Sequence, residues 1–323
     1  MRIDEQAALG HEARNLLHSA LLLGGMGALL LLLGYVLLGP VGAWVVGFLG
    51  LAGLLISPRV SPRMVLRLYG ARSVGYGELV AVQELLALFA RHAGLRSIPR
   101  LYYLPSRVMN AFSVGDRDNA AIGVTDGLLR RLNLRELAGV LAHEVAHVRH
   151  NDVWVMGLAD LIGRLTSSLS IGGQLLLLFN LPLLLLGQAL VSWSAVLLLL
   201  LGPVLITMLQ LALARTREFQ ADVGAVRLTG DPVGLASALE KLERYERGVL
   251  ARVLLPGHYN PQPSVLRTHP ATAERVARLL ELERPPEPAW GAPFGTPRAV
   301  FELPAELLPV TRAPRWRLLD VWY

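Results

Sequence analysis

The sequence predicts a mainly α-helical integral membrane protein, with about four transmembrane helices in two hairpins and a cytoplasmic α+β domain that contains a small sheet. Three observations support this fold class. The 323 residues are 53% hydrophobic and 17% charged, whereas soluble domains carry about a quarter charged residues. Two long stretches lack charged side chains. The polar remainder contains both helical periodicity and short strand patterns.

The composition excludes several kinds of catalytic and metal site and favours one kind of partner. A formal net charge of +6 is compatible with nucleic acid or with an anionic membrane surface, and the apolar excess favours the lipid bilayer, so we expect no nucleic-acid partner. The chain has no cysteine. Disulfides, cysteine-ligated metals and thiol catalysis are therefore excluded, and any metal ion must use histidine and carboxylate ligands.

The first uncharged stretch, from Asn15 to Pro58, follows a cytoplasmic N-terminus (1–15) and predicts the transmembrane hairpin 16–57. It divides at Gly39-Pro40 into two apolar runs, each about long enough to cross a hydrocarbon core of ~30 Å. A cleaved signal peptide is the alternative. Acidic residues before the first run and the lack of a small-residue cleavage site argue against it.

A second uncharged stretch predicts the transmembrane hairpin 165–214, which turns either at Asn180–Pro182 or within Gly187–Ser194. A buried helical hairpin of a soluble domain would be shorter than this stretch. Arginines flank both hairpins while the expected turns are uncharged, so the positive-inside rule places the polar chain on the cytoplasmic side. The membrane itself is expected to be a bacterial-type plasma (inner) membrane. The flanking arginines are Arg2, Arg14, Arg59, Arg63, Arg67, Arg72, Arg149, Arg164, Arg215 and Arg217.

The polar segments 58–158 and 215–282 are expected to form one domain, because neither segment is a complete domain alone. Residues 283–323 form a proline-rich C-terminal tail that departs from this pattern. Within the domain, periodicity and turn signals predict a β-hairpin around Gly115–Asn119 and a helix that begins at Arg215. Further helices are expected at Glu78–His92 and Leu134–Arg149, and strands at Arg100–Leu104, Asn110–Val114 and Ala120–Thr125.

The helix predicted at Leu134–Arg149 carries an HExxH pattern, in which His143 and His147 enclose Glu144. Residues four apart lie on one helical face, so both imidazoles can reach one metal ion. The carboxylate of Glu144 points elsewhere and can act on a water molecule. Two core histidines with ordinary hydrogen bonds are the alternative, but a capped and mostly buried helix is the context that the metal motif requires.

Catalytic zinc takes three protein ligands, and without cysteine the third must be a histidine or a carboxylate. His150 is close in sequence, but it lies at a helix end and is interpreted as a capping or surface residue. Glu218 and Asp222 share a helical face in a later segment. This spacing suits a ligand followed by a carboxylate that orients an imidazole, although an ordinary solvated helix surface would show it too.

Several segments in a fixed order make the sequence recognisable. It resembles the HtpX-type membrane metalloproteases, which share a superfamily with the CAAX prenyl endopeptidases, over about residues 16–282. The resemblance is carried by Asn110–Gly115, Val124–Leu129, Glu136–His147, Arg217–Asp222, and Thr268–Pro270 leading to Arg275.

The resemblance implies a zincin-like protease domain with one Zn²⁺ per chain. Its metal ligands would be His143, His147 and Glu218, with Glu144 as the catalytic base and Asp222 orienting an imidazole. The implied reaction is metal-assisted hydrolysis of a peptide bond.

The resemblance also implies roles for residues outside the metal motif. Asn110, Ala111 and Phe112 would belong to a strand that binds an extended substrate. Such pairing supplies backbone hydrogen bonds with little demand on sequence. His269 and Arg275 would lie near the substrate and the developing oxyanion. From the residues alone, a helix-capping histidine and a surface arginine would be the simpler interpretation.

The expected function is that of a zinc metalloendopeptidase that cleaves misfolded or damaged membrane proteins on the cytoplasmic side, as part of protein quality control. Its partners would be unfolded or membrane-protein substrates and the lipid bilayer. A CAAX prenyl-peptide endopeptidase is the alternative enzyme, although those relatives have more membrane spans. A catalytically inactive membrane scaffold is disfavoured, because the ligands and the base are all present.

Overall fold

The computed structural model describes residues 5–56, 62–75, 77–179, 186, 193–254 and 272–282. The chain divides into two compact units. The first, here called the apolar unit, consists of Arg14–Pro58 and Trp154–Arg217. The second, the mixed unit, is built mainly from Arg59–Val153 and the chain from Glu218 onward. The mixed unit therefore joins polar segments that the apolar stretch 154–217 separates in sequence.

Helices dominate both units, and the mixed unit adds a small sheet. The described helices are α1 (Glu5–Ile56), α2 (Pro62–Leu68), α3 (Val80–His92), α4 (Asp126–Arg131), α5 (Leu134–His150), α6 (Asp152–Phe179), α7 (Trp193–Thr229), α8 (Pro232–Leu254) and α9 (Thr272–Glu281). The described strands are β1 (Arg72–Ser73), β2 (Arg100–Leu104), β3 (Ala111–Val114) and β4 (Ala121–Thr125).

Within the described residues, three helices are long and apolar enough to cross a membrane, by length and composition: Ala13–Gly53, Asp152–Leu178 and Ala195–Thr229. The first is broken at Leu38 and Gly39, where the backbone leaves helical geometry. A Cβ added to Gly34 would lie 2.8 Å from the carbonyl oxygen of Gly42, whereas eight residues of straight helix span about 12 Å. The chain therefore folds back at the Gly39-Pro40 step that the sequence indicates.

The two helices of the second apolar stretch extend beyond the predicted hairpin 165–214 at both ends. α6 already begins at Asp152, and α7 begins at Trp193 instead of Arg215. The expected helix start at Arg215 is therefore wrong, because residues 204–217 contain neither glycine nor proline and nothing in them interrupts the helix. Both candidate turns of the second hairpin lie almost wholly outside the described residues, as does the tail 283–323.

The sheet has the strand order β1-β2-β4-β3, with β2 and β4 parallel and the other pairs antiparallel. The hairpin predicted around Gly115–Asn119 joins β3 to β4, and Gly115 adopts a positive φ of 95°. A Cβ at Gly115 would lie 2.2 Å from the carbonyl oxygen of Asn119, so only glycine fits this turn. β3 lies at one edge of the sheet.

α5 lies at the centre of the mixed unit, in contact with α3, α8 and β3. Its apolar side is fully buried through Leu137, Leu141 and Val145. The predicted capping box is present, since Asn133 accepts from the backbone N–H of Glu136 and the Glu136 carboxylate accepts in return. Ser237 and Lys241 of α8 also donate to that carboxylate, each at 2.7 Å. These contacts hold the start of the HExxH helix in place.

Candidate metal centre

Two histidines of α5 and one glutamate of α7 meet within the mixed unit. One side-chain atom from each of His143, His147 and Glu218 can be chosen so that all three lie within 4.8 Å of one another. The two imidazole Nε2 atoms are 3.0 Å apart. Glu218 Oε2 lies 3.5 Å from Nε2 of His143, and Oε1 lies 3.8 Å from Nε2 of His147. The residues that the sequence nominated as metal ligands therefore lie together in the structure.

Each imidazole has a carboxylate on its other ring nitrogen. Nδ1 of His143 lies 3.0 Å from Oδ1 of Asp222, and Nδ1 of His147 lies 2.6 Å from Oδ2 of Asp152. Both carboxylates are buried. Carboxylate partners of this kind orient metal-binding histidines and select the tautomer whose Nε2 lone pair is available.

Arg275 of α9 contacts two carboxylates of the centre. Its Nε and Nη2 atoms donate to the two oxygens of Asp222 at 2.8 and 2.6 Å, and Nη1 lies 2.9 Å from Oε2 of Glu218. Burial opposes the guanidinium charge, but Asp222, Glu218 and Glu144 hold the pKa of Arg275 above its ordinary value. The family resemblance implied that Arg275 lies near the substrate, but it did not indicate the contacts with Asp222 and Glu218.

The donor set fits zinc. Two imidazole nitrogens and one carboxylate are a common ligand set of catalytic zinc, and the carboxylates of Glu218 and Asp222 are both buried here. Burial lowers the pKa of His143, but hydrogen bonding to Asp222 and Glu218 outweighs it and raises the pKa to about 10. In the absence of a metal ion, a proton on His143 thus compensates the negative charge.

The other residues expected in the site differ from one another in burial and in contacts. Glu144 is buried beside His143 on α5. Asn110 is exposed, and its backbone pairs with Thr125 at the end of β4. Phe112 packs against Tyr69 with a ring distance of 5.4 Å. His269 lies outside the described residues.

Asp152 is a residue that the sequence analysis missed. A separation of five residues from His147 does not match one helical face, so periodicity gave no reason to pair them. The available signal was the Asn151-Asp152 step after the helix, because asparagine readily adopts the left-handed conformation that ends helices.

The chain is similar in sequence to known proteases. The model of peptidase family M48 matches residues 79–283. The chain belongs to peptidase family M48. The protease HtpX homolog of Burkholderia ambifaria (strain MC40-6) is 33% identical over 288 residues, which cover 84% of this chain and 98% of that protein. The HtpX homolog of Methylibium petroleiphilum is 33% identical over 286 residues, covering 83% of this chain and 98% of that protein.

Among solved structures, the crystal structure of S. mikatae Ste24p matches with a TM-score of 0.48 and 19% identity, over 84% of this chain and 67% of that chain. The family and the HtpX homologs identify the M48 chain as a membrane metalloprotease, which confirms the resemblance seen in the sequence.

Zinc affinity should depend on pH through His143. Its pKa is about 10 in the metal-free centre, so below that pH a proton must leave before Nε2 can bind a metal ion. Affinity should therefore fall about tenfold for each unit that the pH is lowered between about pH 8 and 6. Competition with a chelating dye at several pH values measures this slope.

Asp222→Asn is the matched control, since it removes the carboxylate that does most to raise the pKa of His143. The slope should become shallower in this variant. A parent protein whose zinc affinity is the same across this pH range would contradict the prediction.

Proposed function

We propose that this M48 membrane protease is a zinc endopeptidase that cleaves misfolded or damaged membrane proteins on the cytoplasmic side of a bacterial-type inner membrane. The observation that carries the proposal is the convergence of His143, His147 and Glu218, next to the buried Glu144. Such an arrangement offers three protein ligands and leaves a fourth position for the reaction.

The three ligands would hold one zinc ion per chain through the two Nε2 atoms and the Glu218 carboxylate. A bound zinc ion supplies Lewis acidity, which polarises a peptide carbonyl and lowers the pKa of water toward about 7. The carboxylate of Asp222 lies 3.0 Å from Nδ1 of His143 and would fix the direction of its ring. The chain itself must position the substrate and move the protons.

Glu144 is the proposed general base. Its carboxylate would accept a proton from the attacking water and pass it to the nitrogen of the leaving amine, a transfer that typically contributes about 10²–10⁴-fold in rate. The side chain is only 8% exposed. This limited contact with solvent favours direct transfer between water, carboxylate and amine.

His269 and Arg275 are proposed to act on the polar groups around the scissile bond. By the family resemblance, His269 would donate to the oxyanion that develops on the carbonyl oxygen, and removing such a donor typically costs about 10²–10³ in rate. The contacts of Arg275 with Asp222 and Glu218 support a positioning role as well. Through them, Arg275 would hold both carboxylates in place.

Substrate is proposed to bind as an added strand beside β3, the edge strand of the sheet that the structure describes. Thr125 donates its N–H to the carbonyl oxygen of Asn110. Since hydrogen-bonded pairs alternate in an antiparallel ladder, the N–H groups of Ala111 and Ser113 point away from β4. β3 also contacts α5, the helix that carries the HExxH motif. An extended substrate paired with this edge would lie alongside that helix.

Glu144→Gln should abolish proteolysis and leave zinc bound, because the amide cannot accept the proton of water but keeps the size of the side chain. The detergent-purified variant should digest unfolded casein at least about 10²-fold more slowly than the parent protein, with an unchanged zinc content by elemental analysis.

Glu84→Gln is the control for this prediction, because Glu84 is an exposed residue of α3. It should retain parental activity, and a chelator should abolish activity in both the parent and this control. Casein digestion by Glu144→Gln at the parental rate would overturn the assignment of the base, and a zinc-bound parent without proteolytic activity would support the scaffold alternative.

Ser113→Pro should weaken substrate binding without unfolding the sheet, because proline is tolerated at an edge where the N–H faces outward. Loss of one hydrogen bond, worth about 0.5–1.5 kcal/mol, should lower kcat/KM for unfolded casein by about two- to tenfold. Ser113→Ala keeps the N–H and should stay within about twofold of the parent. Equal kcat/KM values for Ser113→Pro and the parent would exclude pairing at this position.

The membrane topology is proposed to be four crossings in two hairpins. The fold-back of α1 at Gly39-Pro40 supports two crossings in the first of the three apolar helices. Reporter fusions should place residues 58–158, 215–282 and both termini in the cytoplasm, and the turn at Gly39-Pro40 outside. A periplasmic signal from the segment 58–158 would overturn this orientation, and additional crossings would favour the prenyl-peptide endopeptidase alternative.

A further inference from the structure

Asp152 occupies a defined position beside the metal centre. Its Oδ2 atom lies 2.6 Å from Nδ1 of His147, and the residue is 4% exposed. The other ring nitrogen of His147, Nε2, faces Nε2 of His143 and the carboxylate of Glu218. The carboxylate of Asp152 is therefore on the side of the imidazole opposite to the three candidate ligands.

The local backbone brings Asp152 back toward the helix that precedes it. Asn151 ends α5 in the left-handed conformation, with φ 58° and ψ 38°, and its N–H points to the carbonyl oxygens of His147 and Val148. α6 then begins at Asp152 itself. This left-handed step places the first side chain of α6 against the last turn of α5. A carboxylate in the first turn of a helix, as Asp152 is in α6, is also favoured by the helix dipole.

The contact has a specific chemical consequence for His147. A buried carboxylate beside Nδ1 favours the tautomer in which Nδ1 carries the hydrogen and donates it to Oδ2. The lone pair is then on Nε2, the nitrogen that faces the centre. Asp222 stands in the same relation to His143 at 3.0 Å. Each histidine of the HExxH motif thus has a buried carboxylate near its outer nitrogen, and the two carboxylates come from different parts of the chain.

We propose that Asp152 is a positioning residue of the metal centre, which orients His147 and increases its strength as a ligand. The inference rests on the proposed zinc site. Asp152 is not itself a ligand in this arrangement, because its contact is with the outer nitrogen of the ring. Removal of such a partner typically weakens metal binding by about 10–100-fold.

Asp152→Asn tests the inference in the full-length protein in detergent. The amide keeps the shape of the side chain and removes its charge. The zinc dissociation constant, from competition with a chelating dye, should rise by about 10–100-fold. The increase in Tm that zinc causes should shrink accordingly, since the stabilisation by a ligand depends on its affinity. Asp152→Glu restores the charge and should recover part of the affinity.

The double variant separates positioning from general stability. In a His147→Ala background, Asp152→Asn should change the zinc dissociation constant by less than about twofold, because no imidazole remains to be oriented. Asp160→Asn is the matched control on the same helix, where Asp160 pairs with Arg164 at the surface. It should behave as the parent in both zinc affinity and Tm.

The outcomes distinguish this inference from the proposed function. If His143→Ala lowers zinc affinity but Asp152→Asn leaves it within twofold of the parent, the metal site stands and the role of Asp152 is refuted. If Asp152→Asn lowers Tm equally with and without zinc and leaves the zinc dissociation constant unchanged, Asp152 only stabilises the fold. If neither His143→Ala nor Asp152→Asn changes zinc affinity, the proposed metal site fails and the inference fails with it.

Discussion

The ion pairs between Arg275 and the two carboxylates of α7 are the interaction on which the rest of the centre depends. Arg275, Glu218 and Asp222 are each less than a tenth exposed. A buried charge without a partner costs several kcal/mol, whereas a paired and hydrogen-bonded one is tolerated. Packing α9 against α7 therefore requires the guanidinium to reach both carboxylates. Their oxygens are thereby positioned where the histidines of α5 can contact them.

The same requirement explains the arrangement around the histidines. His143 and His147 can share one metal ion only if their Nε2 atoms point inward, and each outer nitrogen then needs a partner in a buried environment. Asp222 and Asp152 supply these partners. Much of the electrostatic environment is therefore built into the chain before any metal ion or substrate binds. Such preorganisation avoids reorganising the polar groups during the reaction.

α5 carries this chemistry on a rigid support. Its N-terminus is held by the capping box and by Ser237 and Lys241, and its apolar side is buried in the core of the mixed unit. β3, where substrate is proposed to bind, contacts the same helix. A site on regular elements keeps tighter geometry than one on loops. Here the metal ligands and the proposed substrate edge belong to one packed core.

Short-range patterns in the chain were enough to predict several local features. Helical spacing located α3 and α5, and turn chemistry located the β3–β4 hairpin and the fold-back at Gly39-Pro40. HExxH nominated His143 and His147 as metal ligands, whereas the family resemblance nominated Glu218. The expected start of α7 at Arg215 is wrong, because residues 204–217 contain no glycine or proline that would end the helix there. Which distant groups come into contact depends on the tertiary structure. Arg275 and Asp222 are 53 residues apart, and their pairing depends on how whole helices pack. Asp152 reaches His147 through the left-handed conformation of one residue, Asn151, which no periodic pattern encodes.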